Sequence, residues 1–181
     1  GIYVLEPDTF DRIPSNVSFS IERSYFPSLV DRGETFVGYV YAGYWIDIGT
    51  PEKYMQVHRD IMDGRFQASP FLGADGSRAF VAPDARIEEG ASIEGPCFVD
   101  EGVLVKAGAR IGPYSVIGRQ CQIEEDARVE GAVIWQNGRI GRDASLSGSI
   151  IGRNCHIGRN CQVGPGAVLG DKSSLTDYSR I

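Results

Sequence analysis

The 181-residue sequence contains no run of about 18 apolar residues, which excludes a membrane-spanning helix. Its opening, Gly1-Ile2-Tyr3-Val4-Leu5, lacks the basic and long apolar regions of a secretory signal. The formal net charge is -6, the wrong sign for a surface that holds a phosphate backbone, so no nucleic-acid partner is expected. Histidine is scarce: there are two, His58 and His156, too few for a three-histidine zinc site in one chain. A Gly-rich phosphate-binding loop is also missing. The chain opens on an apolar stretch that reads as a buried strand, without Met, and is expected to be part of a longer protein.

What is present is periodic. Val81, Ile87, Ile93, Val99, Val105, Ile111, Ile117, Ile123 and Val129 follow one another at every sixth position. Six is neither a helical period nor the alternation of an ordinary strand; it is the repeat of a parallel β-helix, three hexads to a triangular coil of about 18 residues. The register is expected to slip by one between Trp135 and Ile140 and again between Leu146 and Ile151, after which Ile157, Val163, Leu169 and Leu175 resume it. That makes about five coils. Gly112, Gly118, Gly141, Gly152, Gly158, Gly164 and Gly170 each follow a ladder position, and are expected to supply corner backbone angles. Acids fill the same column earlier (Glu88, Glu94, Asp100, Glu124, Glu130) and read as a solvated face. Phe98, Leu104, Val116 and Ile134, all at the sixth hexad position directly before a ladder residue, are expected to be apolar exposures that fit an assembly surface.

The four cysteines fit this frame. Cys97, Cys121, Cys155 and Cys161 all stand in the fifth column of the hexad, which otherwise holds small residues such as Ala85, Ala91, Ala109 and Ala127. Free Cys packs as a small hydrophobe. Cys121 and Cys155 share a face but lie two coils apart, roughly 9–10 Å at about 4.8 Å per coil, too far for a bridge. Reduced structural cysteines agree with a cytoplasmic location.

The first seventy residues are punctuated differently. Residues 1–5, 35–41 and 45–48 read as strands, 7–13 and 21–30 as short helices with a stop near Gly33. Thr50-Pro51-Glu52 is a strong helix start: an N-cap, a proline at the first turn and an acid at the positive dipole end. The helix carries Tyr54, Val57, His58, Ile61 and Met62 on one stripe and stops at Gly64. The expected domains are therefore 1–66, the end of an α/β domain; 67–79, a linker; and 80–181, the β-helix.

The segments GIYVLEPDTFDRIP, SFSIERSYFPSLV and GYVYAGYWIDIGTPEKYMQVHRDIM, with the hexads behind them, resemble the C-terminal part of sugar-1-phosphate nucleotidyltransferases of the mannose-1-phosphate guanylyltransferase type. The most specific stretch is Tyr44-Trp45-Ile46-Asp47-Ile48-Gly49-Thr50-Pro51. The resemblance implies a mainly β protein, a left-handed parallel β-helix preceded by the C-terminal fragment of a Rossmann-like α/β domain. It implies transfer of a nucleotidyl group from a nucleoside triphosphate, GTP as first choice, to a sugar 1-phosphate, mannose 1-phosphate as first choice, with release of pyrophosphate. Mg²⁺ is the implied cofactor, and Asp47 matches the family's second metal-binding aspartate. Gly1, Tyr3 and Glu22 match sugar-phosphate-binding positions. The first metal-binding aspartate and the phosphate loop have no counterpart here, so the chain alone is expected to be inactive and the β-helix to serve homo-oligomer assembly or regulation. Two rival readings stand beside this one. A hexapeptide-repeat acyltransferase would use His156, the one histidine of the solenoid; a non-enzymatic oligomerisation module would use the outward apolar column.

Overall fold

The computed structural model describes residues 2–73 and 75–181, and divides into two compact units, Gly1–Gly43 and Tyr44–Ile181. Gly1 lies outside the described residues.

The first unit is organised by a small core of Tyr25, Phe26 and Leu29, against which Leu5, Ile13, Phe19 and Ile21 pack. A 3-10 turn, Pro7–Arg12, precedes a π-helical turn, Ile21–Tyr25, that runs into helix α1, Phe26–Asp31. Ser20 opens this run by accepting a hydrogen bond from the Arg23 amide at 3.1 Å. The chain turns out of α1 at Gly33, whose φ of +64° favours a residue without Cβ. Among the described residues the strands expected at 1–5 and 35–41 are not seen: no ladder includes 2–5 or 35–41, and Val4, Tyr39 and Val40 are 96%, 88% and 90% exposed. A strand needs a neighbour for its backbone groups, and two short segments without a sheet do not provide one. The expected strand at 45–48 is likewise extended chain without a partner. A Rossmann-like sheet is thus not seen among the described residues.

In the second unit the helix start is as expected. Helix α2 spans Pro51–Met62, with Pro51 in its first turn and the Thr50 hydroxyl accepting from the Lys53 amide at 3.3 Å. The chain turns away just past its end at Gly64, where φ is +75°. The rest is a parallel β-solenoid of three sheets. Sheet A stacks Ala79–Val81, Cys97–Val99, Val116–Ile117, Val133–Ile134, Ile150–Ile151 and Val168–Leu169. Sheet B stacks Arg86–Ile87, Leu104–Val105, Gln122–Ile123, Arg139–Ile140, His156–Ile157 and Ser174–Leu175. Sheet C stacks Ser92–Ile93, Arg110–Ile111, Arg128–Glu130, Ser145–Ser147 and Gln162–Val163. The ladder residues point inward as a continuous column; Val99, Val105, Ile117, Ile123, Ile140, Ile151 and Ile157 are all 0% exposed. Inside the same core lie Cys97, Cys121, Cys155 and Cys161, all free thiols. Burial pushes the Cys97 and Cys121 thiols up to about 11, which keeps them protonated and inert.

Two expectations about this solenoid are corrected. The first register slip is displaced: Val133–Ile134 pairs with Val116–Ile117, so Ile134, 0% exposed, takes the inward place and Trp135 turns outward. The five-residue step therefore runs from Val129 to Ile134, stacked directly under the second, from Leu146 to Ile151. Gly131 and Gly148 take this tightened corner at φ +58° and +51°, and the Gly148 amide donates to the Glu130 carbonyl at 3.0 Å. The register was ambiguous in sequence because Ile134 and Trp135 are both apolar.

The second correction concerns the glycines that follow ladder positions. Their φ values are not positive; the left-handed corner angle falls two residues later, on Asp143, Asn154 and Asn160 at φ 54–56°, and likewise on Tyr114, Gln120, Gly166 and Lys172. Asn and Asp tolerate that region because their short side chains bond the local backbone. Glycine is needed at Gly118 and Gly141 for proximity instead. A Cβ at Gly118 would stand 2.9 Å from the Ile134 carbonyl oxygen, and one at Gly141 would stand 2.7 Å from the Arg159 nitrogen of the next coil.

Candidate functional site

Asp47 sits on an exposed, extended loop between Tyr44 and the Thr50 cap of α2. Its carboxylate lies over Gly49, with Oδ2 3.9 Å from where a Cβ on that glycine would stand. Both ends of this loop are strapped to α2. At one end Thr50 is the helix cap. At the other the Tyr44 hydroxyl donates to Asp60 Oδ2 at 2.7 Å, in the helix's third turn. Asp60 is only 6% exposed and is held by a full set of donors: besides Tyr44, Gln56 Nε2 at 2.7 Å and Arg65 Nη1 at 3.2 Å. Burial alone would raise its pKa, but the hydrogen bonds from Tyr44 and Gln56 and the Arg65 charge outweigh it, and the carboxyl stays below its usual range. Tyr44 is pushed up to about 12, first by burial and then by its bond to Asp60. Gln56 and Asp60 are four residues apart and so share one helix face.

Helix α2 meets the solenoid beside sheet A at two points, through Tyr54 in its first turns and through Asp63 at its C-terminal cap. Near its start, the Tyr54 hydroxyl accepts from Trp135 Nε1 at 3.1 Å, and the outer face of that indole carries the Arg153 guanidinium 5.0 Å from its centre. At its end, Tyr114 donates to Asp63 Oδ1 at 3.0 Å, with the Arg59 guanidinium 5.8 Å over the Tyr114 ring. A cleft of about 410 Å³ opens beside these contacts, lined by Tyr54, His58, Phe98, Arg119, Trp135 and Arg153 among others. His58 stands edge-on to Tyr54 at 4.7 Å, and its Nε2 is buried without a hydrogen-bond partner. Burial lowers its pKa.

In the first unit the structure brings Tyr3 and Glu22 together. The Tyr3 hydroxyl donates to the Glu22 carboxylate, and the Tyr3 ring packs edge-on against Phe26 at 4.9 Å. The hydrogen bond to Glu22, then burial and the Glu22 charge, raise the Tyr3 pKa. His156 is exposed on sheet B, paired in register with Arg139 and Ser174. Among the described residues, no three His, Cys, Asp or Glu side chains gather as a metal cage, and no helix is long and apolar enough to cross a membrane.

Sequence reasoning found the Thr50 cap and the placement of Asp47 before it. It missed the Asp60 cluster, although the Gln56/Asp60 spacing on a helix signalled a polar face. It missed the role of Trp135, which looked like a ladder residue; the 17-residue spacing of Gly131 and Gly148, one short of three hexads, was the clue.

A shared hexad solenoid joined to a YWIDIGTP-type loop defines a class before any individual protein. Residues 93–181 match the model of the GMPPB C-terminal domain family. The chain is 33% identical over 77% of its length to a mannose-1-phosphate guanylyltransferase of Mycobacterium tuberculosis, covering 34% of that protein. It is 29% identical over 98% of its length to mannose-1-phosphate guanylyltransferase 1 of Arabidopsis thaliana, covering 45% of it. A UTP–glucose-1-phosphate uridylyltransferase of Synechocystis sp. is 30% identical over 86% of the chain, with 41% of that protein covered. The chain thus spans less than half the length of these relatives. It resembles the C-terminal part of sugar-1-phosphate nucleotidyltransferases, of the mannose-1-phosphate guanylyltransferase type.

Proposed function

We propose that this chain is the C-terminal part of a nucleotide-sugar pyrophosphorylase that uses GTP and mannose 1-phosphate. The observation that carries this reading is the similarity to the Arabidopsis guanylyltransferase along 98% of the chain, which takes in the Asp47 loop and the solenoid together. In the reaction a phosphate oxygen of the sugar 1-phosphate attacks the α-phosphorus of the nucleotide. The bond from that phosphorus to the bridging oxygen breaks, and pyrophosphate leaves.

Asp47 is the side chain of this chain that would hold Mg²⁺, which when bound neutralises phosphate charge and keeps the two substrates in line. Its exposed carboxylate fits that part, because Mg²⁺ takes one or two protein carboxylates and completes its shell with water and phosphate oxygens. Tyr3 and Glu22 form a joined donor and acceptor suited to the hydroxyls of a hexose.

The test uses the full-length protein that carries this sequence. With GTP, mannose 1-phosphate and Mg²⁺ it is expected to release pyrophosphate, and Asp47→Ala is expected to lower kcat at least 100-fold with the fold intact by circular dichroism. A wild-type rate in Asp47→Ala would remove the metal role. A preference for UTP and glucose 1-phosphate in the same assay would keep the class and change the substrates.

A further inference from the structure

Asp47 lies on a loop fixed to α2 at both ends, by the Thr50 cap and by the Tyr44–Asp60 bond. The loop therefore goes where the helix goes. Helix α2 in turn is attached to the solenoid beside sheet A at both of its own ends: Tyr54 to Trp135 near the start and Asp63 to Tyr114 just past the finish. One attachment would leave the helix free to pivot; two, about two and a half turns apart, fix its direction and its rotation about its axis. Both partners are themselves held. The Trp135 indole is covered by Arg153, and Tyr114 occupies a left-handed corner at φ +58° with its amide bonded to the Pro96 carbonyl at 2.5 Å. Neither residue belongs to the inward ladder. Both stand at the rim of sheet A and face the helix.

We propose that Trp135 and Tyr114 are positioning residues for nucleotidyl transfer, and that the solenoid serves as the rigid base that sets the Asp47 carboxylate. This rests on the metal role proposed above for Asp47. Reacting groups must be held to within a fraction of an ångström, and a displacement of about 1 Å far from the chemistry can cost on the order of 100-fold in rate. A helix released from its base at one end would pass its tilt to the loop it caps.

The experiment compares the full-length protein with Trp135→Phe, Tyr114→Phe and the pair, together with Tyr54→Phe, which removes the same hydrogen bond from the helix side. Turnover is measured across Mg²⁺ concentrations. Mn²⁺ binding in the presence of nucleotide is measured separately by water-proton relaxation, independently of turnover. The double variant is expected to lose about 10- to 100-fold in kcat, to need several-fold more Mg²⁺ for half-maximal rate, and to bind Mn²⁺ several-fold more weakly. Each single variant should fall between it and wild type, with Tyr54→Phe matching Trp135→Phe. On the other attachment, Asp63→Asn keeps an acceptor for Tyr114 and should retain the rate, whereas Asp63→Ala should fall to the level of Tyr114→Phe.

Rates that fall only in proportion to the folded fraction, with the metal midpoint and Mn²⁺ affinity unchanged, overturn the positioning role. So does a double variant with wild-type kcat. Asp47→Ala run in parallel separates the two claims. If Asp47→Ala is inactive while the Trp135 and Tyr114 variants are normal, the positioning role alone fails; if Asp47→Ala is active, the reading beneath it fails.

Discussion

His58 shows how a single side chain can carry a pH response. Its ring is wedged between Tyr54 and the wall of a cleft that also contains Asp100, Arg119 and Arg153, and Nε2 has no acceptor. Asp100 is already paired with Arg119 at 3.5 Å. A proton added to His58 would therefore sit on a buried ring nitrogen with no acceptor to receive it. Burial lowers the pKa in the fold, while in the unfolded chain the ring keeps the ordinary value near 6.5. Below about pH 7 the unfolded chain takes up a proton that the folded one refuses, so stability falls on acidification. The loss continues until pH drops through the folded value and then levels off. Urea unfolding monitored between pH 7.5 and 5 should show this decline, and His58→Gln should flatten it over the same window. An identical slope in both proteins would mean that other groups dominate.

At the scale of elements, much was legible and the errors share one cause. The six-residue ladder, the cysteine column and the Thr50-Pro51 start are statements about a residue and its immediate neighbours, and they hold in the structure. The strands expected at 35–41 and 45–48 depend on a partner, which local sequence does not contain. The glycine column shows the same limit in a different form. Gly141 and Gly170 carry the same signal, each directly after a ladder residue. Yet a Cβ at Gly141 would meet the Arg159 nitrogen at 2.7 Å, while one at Gly170 would have nothing within 4 Å. Gly141→Ala is therefore expected to cost about 1–3 kcal/mol, the usual range for overpacking a close contact. Gly170→Ala should lie within about 0.5 kcal/mol of wild type, as for an open surface site. Denaturant midpoints of the two variants decide it; equal effects would show that clearance is not what calls for glycine at Gly141. The Asp47 loop belongs with the partner-dependent features: its position before the cap could be read, but not the Tyr44–Asp60 strap that closes it.

For the whole molecule, a solenoid is close to one-dimensional: each coil touches only the coil before and after it. Burial therefore grades along the axis. Val81 and Ile87 in the opening coil are each 37% exposed, whereas Ile123, Ile140 and Ile157 are 0% exposed. Helix α2 attaches to the well-buried middle, at Trp135 and Tyr114, and not to the graded end. This placement matters for a base that must not fray, since the Asp47 loop takes its position from those coils. The same truncation should thus have unequal consequences along the ladder. Ile140→Ala removes a fully enclosed side chain and is expected to cost about 2–5 kcal/mol. Ile87→Ala, with over a third of its surface already in water, should cost clearly less. Guanidinium unfolding would read both values, and hydrogen exchange would show where they act. Ile140→Ala should speed exchange in the coils on either side of it, including the Trp135 amide, which donates to the Ile151 carbonyl at 2.8 Å. Ile87→Ala should leave that amide as slow as in wild type. If Ile87→Ala loosened it equally, the solenoid would unfold as one cooperative block, and its middle would offer no firmer base for α2 than its end.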